Sequence, residues 1–136
     1  MNKIEHIGIA VKNLDSANGL YEKLLGCPPY KDEEVKSEAV KTSFFKSGPN
    51  KIELLEASSA DSPISKFIEK QGEGIHHIAF AVDDIKAELK RLKSEGFILL
   101  NEEPKRGADN KWVAFVHPKS ANGVLIELCQ DIDAVE

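Results

Sequence analysis

Residues 4–11 alternate between bulky apolar positions and small or polar ones. Ile7, Ile9 and Val11 fall on one side of an extended chain, and His6, Gly8 and Ala10 on the other. The alternation returns at residues 75–82, where Ile78, Phe80 and Val82 oppose His77, Ala79 and Ala81. The return is a repeat: residues 4–14 (IEHIGIAVKNL) align without a gap on residues 75–85 (IHHIAFAVDDI), setting His6 on His77 at an offset of 71 residues. Each strand leads into an amphipathic segment closed by a glycine. LDSANGLYEKLLG ends at Gly26 and DDIKAELKRLKSEG at Gly96, so both are predicted helices with a C-cap glycine, the first opened by Asn13 or Asp15. Residues 40–46 (VKTSFFK) and 50–56 (NKIELLE) are predicted strands around the turn SGPN. In the second half the predicted strands are 97–103 (FILLNEE), 111–118 (KWVAFVHP) and 123–130 (GVLIELCQ). KIELLE at 51–56 answers LIELCQ at 125–130, which sets Glu53 on Glu127 at an offset of 74 residues. The chain therefore reads as a single α+β domain of two βαβββ modules, 1–57 and 74–136. A linker at 58–73 joins them and carries a short helix capped near Ser62 with Pro63 in its first turn.

Composition narrows the possible functions. With 136 residues, 41% hydrophobic and 30% charged, the chain has room for one well-buried domain. A net charge of −5 excludes general nucleic-acid binding, which rests on neutralising phosphates with Lys and Arg. No stretch has the length and apolarity of a membrane span, and the first residues lack a signal segment, so the expected location is the cytoplasm. Cys27 and Cys129 have no CxxC spacing and are expected to be reduced thiols.

The faces of the strands point to the chemistry. A face of one His followed by Gly or Ala twice leaves volume unfilled, and unfilled core volume is destabilising unless something occupies it. In the last strand of each module Ile52 and Leu54 face one way and Glu53 the other, and Ile126 and Leu128 do the same around Glu127. A carboxylate therefore points where each histidine points. An uncompensated buried carboxylate costs several kcal/mol, on the order of the effective desolvation penalty of one ion, and a divalent cation would offset it. His6, Glu53, His77 and Glu127 form an N2O2 set suited to Zn, Ni, Co, Mn or Fe. His76 falls on the bulky side, and neither it nor His117 is read as a ligand. Trp112 and Phe115 are read as core filler.

The duplicated module with His and Glu at these places resembles the vicinal-oxygen-chelate superfamily, whose glyoxalase-like fold is an open barrel of two βαβββ units. HIGIAV, IELLE followed by DSPISKF, GIHHIAFAVDDI and HPKSANGVLIEL are most similar to the methylmalonyl-CoA epimerases. The resemblance covers nearly the whole chain. It implies a homodimer, an acyl-CoA substrate and a divalent metal (Co, Zn, Ni or Mn). The implied reaction interconverts (2R)- and (2S)-methylmalonyl-CoA through a metal-stabilised enolate, with Glu127 as ligand and catalytic acid/base. For the second acid/base, AVKTSFFK offers no carboxylate, which leaves Glu53, Glu38 or a water. Lys105, Arg106, Lys119 and Ser120, with Lys111 nearby, are the expected contacts for the CoA phosphates. Glyoxalase I, with the same ligand types, and a metal-free small-molecule binding protein of the same fold are the alternatives. A dioxygenase fits less well, since its triad takes two His and one carboxylate.

Overall fold

Hydrophobic alternation, helix caps and turn residues become eleven strands and helices in a computed structural model that describes residues 1–132; residues 133–136 of the expected second module lie outside the described residues. The chain divides into two units. One comprises His6–His76, and the other joins the residues from His77 onward to Met1–Glu5.

The first unit takes in β1 (Lys3–Ala10) from His6 onward, then α1 (Leu14–Leu25), β2 (Lys31–Val35), β3 (Val40–Ser47), β4 (Asn50–Ala57) and α2 (Pro63–Gln71). The strand order is β2-β3-β4-β1, with β1 parallel to β4 and the other pairs antiparallel. Asn13, not Asp15, caps α1: its Oδ1 accepts from Ser16 N at 2.9 Å, while Asp15 lies in the first turn. Gly26 closes the helix at φ 79°, a left-handed conformation that favours glycine. Ile9 and Val11 pack with Phe45, Leu54 and the inner residues of α1, as the alternation of β1 requires. The opposite face is covered at one end, where Ile64, Phe67 and Ile68 of α2 pack over Ala10, Val40 and Leu55. The Ser62 hydroxyl accepts from Ile64 N at 3.1 Å and starts α2, with Pro63 at its first position.

The second unit repeats the plan with β5 (Gly74–Ala81), α3 (Ile85–Ser94), β6 (Lys105–Gly107), β7 (Lys111–Val116) and β8 (Ile126–Asp131), in the order β5-β8-β7-β6. β5 is parallel to β8 and the other pairs are antiparallel. Ile85, Leu89 and Leu92 of α3 bury against Val82, Ala114, Val116 and Leu128. Each such side chain stabilises by roughly 1.5–3 kcal/mol on full burial. On the outer face of α3, Arg91 grips Glu88 through Nε and Nη2 at 3.0 and 3.2 Å and holds that carboxyl below the usual range.

One expectation needs correction. The strand expected over 97–103 is only a bridge between Leu99 and Val116. Leu100 N bonds Phe115 O and His117 N bonds Ile98 O, both at 2.8 Å. The side chain of Asn101 then takes the N–H of Phe115 at 2.9 Å, ending the ladder, and pairing resumes only at β6 beyond Pro104. Trp112 and Phe115 both pack into the core, as expected, but on opposite faces. Phe115 shares the face of His77, whereas Trp112 packs with the α3 cluster on the other face and lies under the Arg106 guanidinium, 5.4 Å from the ring centre.

Among the described residues no helix is long and apolar enough to cross a membrane.

Candidate functional site

The parallel pairing of β1 with β4 sets Gly8 opposite Glu53, so His6 and Glu53 emerge from adjacent strands on one face, and Nε2 of His6 lies 3.2 Å from Oε1 of Glu53. β5 and β8 repeat the arrangement, with Ala79 opposite Glu127 and Nε2 of His77 3.0 Å from Oε1 of Glu127. All four residues are at most 6% exposed. Burying an imidazole and a carboxylate side by side is tolerable because each offsets part of the other's desolvation. The small residues beside them give the rings room. Gly8 and Ala79 leave the histidine face clear, and an aromatic ring fills the neighbouring strand: Phe44 stands edge-on to His6 at 6.1 Å, and Phe115 edge-on to His77 at 6.3 Å.

The donor spacing accommodates a metal. Two ligand atoms about 2.1 Å from one ion and at right angles to each other lie about 3.0 Å apart, which matches both pairs. Imidazole nitrogen with carboxylate oxygen is a donor set that divalent transition metals accept.

Behind each pair a second device recurs. Glu56, three residues past Glu53 and on the opposite face, accepts the Leu14 N–H at 2.6 Å. Gln130, three residues past Glu127, accepts the Ile85 N–H at 2.8 Å. Each ties the end of the carboxylate strand to the first turn of the helix that leaves the histidine strand, filling an orphan donor as it does so. The sequence reading passed over these residues, although the alignment of KIELLE with LIELCQ pairs them. Phe44 and Phe115, 71 residues apart like the histidines, were legible in the same way.

The expected cationic contacts fall in different places. Lys105 pairs with Val113 and so shares the face of Glu127, while Arg106 pairs with Trp112 and faces α3. Lys119 and Ser120 lie in a 3-10 turn past the far end of β7. There Lys119 is exposed, and the Ser120 hydroxyl accepts the Ile98 N–H at 2.9 Å. Lys111 is bonded to Asp131. His76 stands edge-on to Phe67 at 5.0 Å, and His117 Nδ1 accepts the Lys119 N–H at 3.0 Å, so both imidazoles have structural roles.

Comparison with known proteins identifies the family. Residues 5–115 match the glyoxalase/bleomycin resistance protein/dioxygenase superfamily. The chain is 42% identical to the uncharacterized protein YqjC of Bacillus subtilis, over 96% of this chain and 93% of that protein. It is 40% identical to the ethylmalonyl-CoA/methylmalonyl-CoA epimerase of Cereibacter sphaeroides, over 96% and 98%. Among solved structures it resembles a Streptomyces coelicolor methylmalonyl-CoA epimerase variant in complex with 2-nitronate-propionyl-CoA. That match has a TM-score of 0.93 at 34% identity and covers 96% of this chain and 95% of the other. The chain thus belongs to the glyoxalase/bleomycin resistance protein/dioxygenase superfamily and, within it, to the family of the methylmalonyl-CoA epimerases.

Proposed function

We propose that this chain is a metal-dependent epimerase of methylmalonyl-CoA, with His6, Glu53, His77 and Glu127 as the ligands of one divalent cation. The observation that carries the reading is the recurrence, in both modules, of a buried His/Glu pair with ligand spacing. A divalent cation there would stabilise the negative charge that develops on the acyl oxygens as the α proton leaves. The residues of the chain do the rest. Glu127 takes the α proton from one face, and the C–H electron pair spreads into the thioester as an enolate. A second carboxyl returns a proton to the opposite face, so that the two exchange roles on the reverse passage.

For the second role we take Glu38, the candidate carboxylate that lies outside the proposed ligand set. That residue is half-buried in the turn before β3, its carbonyl oxygen accepts from the Ser62 hydroxyl at 3.5 Å, and it lies two residues before Val40 of the α2-covered cluster. Lys105, on the Glu127 side of its strand, and the exposed Lys119 are the cations offered to the CoA phosphates, with Arg106 and Ser120 as outer members of the group. A second copy of the chain belongs to the same reading, and Leu20 and Leu24 of α1, 63% and 69% exposed, are apolar surface for it to cover.

The test is proton NMR of methylmalonyl-CoA in heavy water, with and without a chelator. Exchange of the α-hydrogen and epimerisation are expected in the metal-loaded protein, and both should stop when the metal is removed. Exchange that survives complete metal removal contradicts the mechanism. Glu38→Gln should slow epimerisation about 10²–10⁴-fold while exchange of one epimer persists through Glu127.

A further inference from the structure

Among the described residues, two buried side-chain polar atoms lack a hydrogen-bond partner: Asn18 Oδ1, in α1, and Thr42 Oγ1, in β3. Thr42 is fully buried. An unmet buried hydroxyl is destabilising, so its retention calls for a reason outside the folded chain alone. Its position supplies one. On β4, Glu53 opposes Phe44 and Leu55 opposes Thr42, which makes Thr42 the diagonal neighbour of Glu53 on the histidine face, at about 7 Å. Along β3 the hydroxyl lies between the His6/Glu53 pair and Glu38.

The second module shows that the fold does not need this hydroxyl. Phe115 opposes Glu127 as Phe44 opposes Glu53, so the counterpart of Thr42, two residues earlier, is Val113. Valine has the shape of threonine without the oxygen, and Val113 is buried in a cluster with Ala79 and Cys129. One module keeps the oxygen and the other omits it. That asymmetry suits a ligand with two unlike arms, one ending in a carboxylate and the other in a thioester.

We propose that Thr42 is a substrate-binding residue whose hydroxyl donates a hydrogen bond to an oxygen of the acyl group; the assignment rests on the epimerase reading above. On the epimerase reading the acyl group meets the face that carries His6 and Glu53, and the Thr42 hydroxyl lies on that same face. Thr42→Val and Thr42→Ser test the proposal, with methylmalonyl-CoA as substrate and propionyl-CoA as a competing ligand without the carboxylate. Thr42→Val is expected to lower kcat/KM about five- to tenfold, the worth of one hydrogen bond, while Thr42→Ser stays within about twofold of the parent. The melting temperature of Thr42→Val should hold or rise, because an unmet polar atom has been removed. If propionyl-CoA inhibition weakens as well, the bond is to the thioester oxygen; if it does not, the bond is to the carboxylate, and either result supports the assignment. Unchanged kcat/KM in an active enzyme, or a fall in the melting temperature of Thr42→Val, overturns it alone. A parent chain without epimerase activity overturns the epimerase reading and this assignment together.

Discussion

Two adjacent histidines in GIHHIAFAV meet opposite surroundings because neighbours on a strand point to opposite faces. His77 joins Glu127, while His76 meets the ring of Phe67 at an interplanar angle of 80°. His77→Ala is therefore expected to abolish metal binding, measured by elemental analysis. His76→Ala should keep the metal and lose about 0.5–1.5 kcal/mol of stability, the worth of an aromatic contact, read from thermal unfolding. The reverse pattern would make His76 the ligand. The two His/Glu pairs were legible because two signals agreed, the alternation that sorts faces and the repeat that sets His on His and Glu on Glu. Thr42 carried no such signal, since nothing in VKTSFFK distinguishes an unmet hydroxyl from a satisfied one. The burial of Glu5, 4% exposed, was equally invisible, as a charged residue near the start of a strand ordinarily faces water.

At the scale of elements, the helices and the strands with apolar alternation followed their sequence patterns. The departures came where side chains replace backbone partners or where apolar residues are scarce. Asn101 interrupts the strand expected over 97–103 by bonding Phe115 N through its carboxamide, an event that depends on a residue 14 positions away. β2, KDEEV, holds one apolar residue in five and forms only because β3 offers it an edge. β6 depends on a glycine: a Cβ at Gly107 would sit 2.9 Å from both methyl carbons of Val113, whose branched side chain has little freedom to turn. Gly107→Ala should cost about 1–3 kcal/mol by crowding, seen as a lowered denaturation midpoint, with its effect on activity secondary to that loss. A variant as stable as the parent would mean that β6 shifts to make room.

For the whole molecule, the decisive quantity is the number of metal ions per chain. Each module carries a pair with ligand spacing, so two modules acting separately would bind two ions, whereas a shared centre binds one. One ion per chain is expected from mass spectrometry under native conditions, and replacing either Glu53 or Glu127 by Gln should weaken that single site. Two ions per chain, lost independently, would sink the shared centre. Metal at a hundredfold excess over its dissociation constant should also raise the unfolding free energy by about 2.7 kcal/mol, an increment that either replacement reduces.

The acidic strand β2 has a consequence for how the protein associates. It is the outer strand of the sheet, the kind of rim along which chains zip into larger sheets. Asp32 and Glu34 stand exposed on one face of the strand, and Glu33 stands on the other beside Lys31. Laying one such rim against another brings three carboxylates from each chain together. This repulsion guards against runaway stacking near neutral pH and leaves assembly to other faces.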